Sequence, residues 1–226
     1  MIHELKESKE ISNIDIAPLM TKLILRSAFE MFLGGDLYEV DEDIMDDYVR
    51  LNLLCGDRMR ALVAPPLNFP TNKNIEINLL KNRIRSFVIE KIAEKGVSPL
   101  IQVLEREGQG SSDLVDHCMT FLFAGHETMA ASLSFSLLKL ASNTDYQKNI
   151  REDIKGKYTT SFYNESLRMY PPAYMLVREC KKTTSLFKKG DQIIIPLTVI
   201  QTNPNYFKEP LEFKPERFLK EKVLKG

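Results

Sequence analysis

Three clusters in this 226-residue sequence combine residue types and spacing that could do chemistry. The first is Ala124-Gly125-His126-Glu127-Thr128, inside a long stretch of helical pattern. A glycine in a helix interior costs about 1 kcal/mol relative to alanine. Gly125 followed by an acid and a hydroxyl therefore reads as the close approach of something flat, with polar groups beside it. Thr128 is placed to bond a carbonyl one turn earlier. The plainer alternative is a packing glycine beside polar residues that face solvent. The second cluster is Asn164-Glu165-Ser166-Leu167-Arg168-Met169-Tyr170-Pro171-Pro172. Here Glu165 and Arg168 share a helix face at i, i+3. About one E-x-x-R arises by chance in a chain this long, and a surface pair contributes under about 1 kcal/mol. The longer string, stopped by a double proline, carries more information than those four residues. The third cluster is Phe213-Lys214-Pro215-Glu216-Arg217-Phe218, whose plain reading is a turn with an exposed Glu-Arg pair.

The elements that must position these clusters are mostly helical. Asp15 is a plausible cap for a helix carrying Ile16, Leu19, Met20, Leu23 and Ile24, stopped at Gly34-Gly35. Asp41 can cap a second helix through Ile44, Tyr48, Leu51 and Leu54, ending at Gly56. Pro65, Pro66 and Pro70 mark an irregular linker. A third helix is predicted from about Asn74 to Lys95, closed by Gly96, and a short one from Ser98-Pro99 to Glu107. The long helix spans about 112–142, with Ser111 or Ser112 as cap and Asp113 and Asp116 in its first turn. Asn143 and Thr144 end it. Helices are predicted over 145–155 and about 160–170. Ala173–Glu179 and Asp191–Val199 then read as strands joined by a turn at Lys188-Lys189-Gly190.

Composition narrows the class. The apolar fraction is 43% and the charged fraction 27%, with 31 basic against 31 acidic residues. That balance excludes the basic footprint of a nucleic-acid binder. Cys55, Cys118 and Cys180 lie far apart and form neither a metal pattern nor a disulfide framework, which fits a reducing compartment. Met1–Glu10 has no signal-peptide core. Cys118–Ala141 is long enough to span a bilayer, but Glu127 would sit near its centre, at a cost of about 3 kcal/mol. A helix buried on most sides fits better, and the expected location is cytoplasmic.

In order, A-G-H-E-T, E-S-L-R-x-x-P-P, a strand pair and F-x-P-E-R-F resemble the cytochrome P-450 family. The resemblance covers about residues 15–220 and is most specific over 121–218. It implies a mainly α fold with a small β region: a single, incomplete cytochrome P-450-like domain over 1–226. It implies that Ala124 and Gly125 border a heme, that Thr128 hydrogen-bonds the oxygen being activated, and that Glu127 helps deliver protons. It also implies that Arg178 pairs with a heme propionate, and that Glu165 lies between Arg168 and Arg217 in a structural network. The implied reaction inserts one atom of O2 into a small organic substrate, with electrons from a redox partner such as a ferredoxin or a flavin reductase.

The sequence departs from that family in four places. No F-x-x-G-x-R-x-C-x-G loop follows Phe218, so no residue is assigned to the iron, and thiolate ligation is what favours O–O cleavage. There is no tryptophan, hence no W-x-x-x-R helix. The connection from Thr128 to Glu165 is short, as expected if a helix and loop between Ile154 and Thr160 are deleted. Gln201-Thr202-Asn203-Pro204 stands where the family often has H-R-D-P. The expectation is a chain of monooxygenase ancestry that is inactive as it stands. The alternatives are a non-enzymatic helical interaction module and a non-functional gene fragment.

Overall fold

The computed structural model describes residues 15–34, 42–94, 98–107 and 110–219. Met1–Glu10, Gly35, Asp41, Lys95, Gly96 and the segment after Leu219, all used above, lie outside the described residues. The chain divides into two compact units, 1–127 and 128–226.

In the first unit, α1 runs Ile16–Leu33, α2 Glu42–Arg60, α3 Asn72–Ala93 and α4 Pro99–Arg106. Each start has a local cause. Asp15 accepts from the Ala17 N–H. Thr71 accepts from Asn74 N–H. Ser98 accepts from Ile101 N–H, with Pro99 in the first turn, where its missing donor costs nothing. Gly34 ends α1 at φ 83°, a left-handed conformation that glycine adopts without strain. The prediction that Gly56 ends α2 is corrected: the helix runs one turn further, to Arg60. That turn is held by the Arg60–Asp57 pair at 3.1 Å and by Arg58 donating to Asn74 at 3.2 Å. These contacts offset the glycine cost. The core of this unit joins Leu25, Phe29, Met45, Tyr48, Leu80, Ile84, Val88, Cys118 and Leu122. Phe29 meets Tyr48 and Phe87 edge-on, at 6.0 and 5.5 Å between ring centroids.

The long helix α5, Ser111–Ala141, carries the boundary between the units. Its first carbonyl acceptor is Gly110, which takes the Leu114 N–H. Ser111 and Ser112 thus lie inside the helix rather than capping it.

In the second unit, α6 is Thr144–Glu152 and α7 is Lys157–Met169. Asn143 caps α6 by accepting from Asp145 and Tyr146 N–H groups. The predicted start of the next helix at Thr160 moves to Lys157, because the Asp153 carboxylate accepts from the N–H groups of Lys157 and Thr159. This compact cap, with Gly156 at φ 67°, is what the short connection builds. Strands β1, Met175–Glu179, and β2, Gln192–Pro196, pair antiparallel, with Val177 opposite Ile194. Val199 was expected in β2 but lies in α8, Leu197–Gln201. Pro196 has no N–H to extend the ladder, and Thr202 N–H returns to the Thr198 carbonyl instead. A single 3-10 turn covers Pro215–Phe218.

Candidate functional site

The E-S-L-R and P-E-R-F strings meet in one buried cluster. Glu165 is 0% exposed and Arg168 3%. Arg168 donates through Nε and Nη2 to the two Glu165 oxygens, both at 2.8 Å, as a fork on a carboxylate. Arg217 Nε donates to the same carboxylate at 3.0 Å, and the Lys214 backbone N–H adds a bond of 2.8 Å. The outer faces of both guanidinium groups are spent on backbone carbonyls. Arg168 reaches Gln201, Pro210 and Glu212. Arg217 reaches Lys208, Glu209 and Glu212. Phe207 lies against the Arg168 guanidinium at 5.1 Å. Two side chains therefore tie the 201–217 segment to α7.

None of those carbonyl acceptors was legible in the side-chain sequence, since every residue carries one. Their use explains how two cations and one anion sit together: the surplus positive charge is spread over six carbonyl bonds.

The A-G-H-E-T segment lies in α5. At 100° per residue, Ala124 and Thr128 fall within about 40° of one another. Both are exposed, as is Glu127, while Gly125 is half-buried and His126 is buried. The vacant Cβ direction of Gly125 points at the Phe32 ring, whose Cε2 would be 3.3 Å from a methyl group. The flat object that Gly125 admits in this structure is thus an aromatic side chain of α1. The exposed small surface is Ala124.

Asn52, which the spacing did not single out, organises the other side of the segment. Its Nδ2 donates to the Glu127 carboxylate at 3.1 Å and lies 3.2 Å from His126 Nε2. His126 Nδ1 is 3.0 Å from the Leu122 carbonyl. A carbonyl only accepts, so the proton is on Nδ1 and Nε2 accepts from Asn52. Burial holds the imidazole below its usual pKa. These groups border a cleft of about 190 Å³ that also reaches Thr21, Gly56 and Arg60.

Arg178 is exposed on β1 and donates to its neighbour's carbonyl, Val177, at 2.9 Å. Among the described residues, no group of three or more histidine, cysteine or acidic side chains is placed to hold a metal. The three cysteines are free thiols. No described helix is long and apolar enough to cross a membrane.

The sequence profile of the cytochrome P-450 family matches residues 1–226. The chain belongs to the cytochrome P-450 family. Among its relatives, cytochrome P-450 3A19 of Capra hircus aegagrus is 36% identical over a match covering 48% of this chain and 59% of that protein. Human cytochrome P-450 3A5 is 34% identical, covering 49% and 26%. A probable Drosophila melanogaster cytochrome P-450, 28d1, is 33% identical, covering 53% and 28%. The fold is that of solved members. The retinoic acid-bound cyanobacterial CYP120A1 superposes with TM-score 0.78 at 17% identity, over 98% of this chain and 56% of that one. The cytochrome P-450 CYP102L1 gives 0.74 at 22%, over 90% and 55%. The matches thus take in only part of these relatives. The fold class is mainly α with a small sheet, as expected. Membership in the family implies heme as cofactor and, in general, a redox partner.

The residues fit a heme in part. Ala124 and Thr128 offer an exposed strip of small side chain and hydroxyl that a flat macrocycle can cover. No cysteine in these 226 residues stands in the family's ligand loop.

Proposed function

We propose that this chain carries the oxygen-side helix and the scaffold of a heme monooxygenase that inserts one oxygen atom of O2 into a small organic substrate. The observation that carries the reading is the Glu165–Arg168–Arg217 cluster, in which two distant family strings close into one buried unit. We further infer that the two compact units are parts of one cytochrome P-450 domain, since α5 runs through their boundary. Heme, when bound, supplies the iron at which O2 is activated. Thr128 is assigned to hold a proton toward that oxygen from its hydroxyl. Glu127 is assigned to feed protons to it, with Asn52 holding the carboxylate. Ala124 keeps the helix surface low at that point, while Gly125 admits the Phe32 ring behind it, and Arg178 is assigned to a propionate. Electrons come from a ferredoxin or a flavin reductase. The three free thiols support a reducing, cytoplasmic setting.

These 226 residues lack the thiolate loop, so the reaction is not expected of them alone. The purified chain, reduced with added heme and carbon monoxide, should give no thiolate-type Soret band; such a band would overturn that expectation. The roles of Thr128 and Glu127 are tested in a chimera whose flanking segments, cysteine loop included, come from a relative. Thr128→Ala should keep the heme spectrum and divert O2 consumption to hydrogen peroxide, and unchanged coupling would refute the assignment. The second reading is a non-enzymatic, heme-free helical interaction module. Heme binding by the chimera, with coupled turnover, would exclude it.

A further inference from the structure

Two side chains of α5 share one amide of α2. Asn52 spends the hydrogens of its Nδ2 on the Glu127 carboxylate at 3.1 Å and on His126 Nε2 at 3.2 Å. The second bond exists only while His126 is neutral, with its single ring proton on Nδ1 toward the Leu122 carbonyl. A further proton would sit on Nε2 and face the amide hydrogens, donor against donor. His126 is 1% exposed, and a buried donor without an acceptor is costly. Turning the amide over about χ2 removes the conflict, because Oδ1 then accepts from Nε2–H. The same turn sets Oδ1 against the Glu127 carboxylate, acceptor against acceptor. One nitrogen serves both partners, so the two bonds are lost together.

The bond to Glu127 lies at the exposed mouth, where water replaces it, while the bond to His126 lies deeper. The cleft of about 190 Å³ in front of these groups gives the carboxylate room to move. Arg60 borders the same cleft and folds back over Gly56, with Nη1 3.6 Å from where a Cβ of that glycine would be. The remaining surroundings of His126 come from three helices. On α2, Tyr48 meets the ring edge-on at 5.0 Å, and burial pushes up both its phenol and the nearby Cys55 thiol. On α1, Thr21 reaches the cleft, while Lys22 and Arg26 pair with Glu42 of α2. On α5, burial opposes a proton on His126, and the Leu122 carbonyl, Glu127 and the Phe123 carbonyl favour it.

We propose that Asn52 is a two-position latch, which holds Glu127 while His126 is neutral and releases it into the cleft that Arg60 borders once His126 is protonated. The proposal rests on the reading of Glu127 as a proton donor and adds a trigger to it. The carboxylate leaves its anchor on α2 when a proton has already entered the cleft.

The test is nuclear magnetic resonance of the isotope-labelled 226-residue chain from about pH 8 to about pH 4.5. Ring nitrogen shifts give the tautomer and the midpoint of His126. An Overhauser contact between the Asn52 amide hydrogens and the Glu127 methylene protons is expected at the upper end, and should be lost with that midpoint. His126→Gln, which does not titrate, should keep the contact throughout. Asn52→Asp presents only acceptors, mimics the turned amide, and should raise the His126 midpoint by about one unit or more. Loss of the contact on acidification of His126→Gln, an Asn52 amide that stays in place while His126 titrates, a ring that stays neutral over the whole range, or an unchanged midpoint in Asn52→Asp would overturn the latch. None of these readouts involves heme. Unchanged coupling on Glu127→Gln in the chimera would instead sink the proton-donor reading on which the latch rests.

Discussion

Replacing Arg168 by leucine removes five hydrogen bonds from a site closed to water: two to Glu165 and three to the carbonyls of Gln201, Pro210 and Glu212. The leucine keeps part of the stem volume, so the loss is mainly electrostatic. Breaking one member out of a buried ion pair costs about 3–5 kcal/mol. Glu165 retains Arg217 and the Lys214 N–H, and the Glu212 carbonyl retains Arg217, which tempers the loss. The carbonyls of Gln201 and Pro210 lose this donor, at about 1 kcal/mol each. The sum stays near 3–5 kcal/mol. Arg217→Leu is milder. Its side chain is 12% exposed and Glu165 keeps the Arg168 fork, so the expected cost is about 1.5–3 kcal/mol, that of hydrogen bonds to a charged group. Thr128→Ala, at an exposed position, should stay within about 0.5 kcal/mol. Urea unfolding followed by far-UV circular dichroism gives the order. If the leucine variant fails to fold, Arg168→Lys and Arg217→Lys keep the charge, lose the fork and rank the same way. An Arg217 variant at least as costly as its Arg168 counterpart, or an Arg168→Leu cost below about 1 kcal/mol, would refute the reasoning.

Three further outcomes follow from the first unit. Burial lowers the His126 pKa, so on acidification below about 6.5 the unfolded chain binds a proton that the folded chain refuses. Stability should therefore fall as pH drops from 6.5 toward the lowered value, by at most about 1.4 kcal/mol per unit, and His126→Gln should flatten that slope in urea midpoints taken across the window. Asn74 donates to the Pro66 and Phe69 carbonyls at 2.9 and 2.8 Å, so Asn74→Ala should cost about 1–3 kcal/mol and speed proteolysis near the exposed Leu62 and Val63, read by mass spectrometry of the fragments. Gly125→Ala places a methyl group 3.3 Å from Phe32, a half-buried ring with room to give. The gain in helix propensity of about 1 kcal/mol offsets the shift, so melting should change little, whereas Gly125→Leu should cost about 1–3 kcal/mol.

Two helix starts were readable because their causes are local: Asp15 and Ser98-Pro99 bond N–H groups two or three residues ahead. Ends were read less well where distant contacts intervene. Gly56 looked like a stop, yet Arg58 reaching Asn74 helps carry α2 past it. Val199 fits a strand by type, but Pro196 ends the ladder.

By itself, the sequence determined the family, the order of elements and the membership of the Glu165, Arg168 and Arg217 cluster, because these rest on residue types at fixed spacing. Only the tertiary structure decided which carbonyls absorb the charge of two arginines, since backbone acceptors leave no trace in side-chain identity. It also decided that Asn52 holds Glu127 across 75 residues and donates to His126 Nε2, while the Leu122 carbonyl fixes the His126 tautomer. And it set the neighbour of Gly125. A glycine records that something comes close, while only packing shows that here it is Phe32.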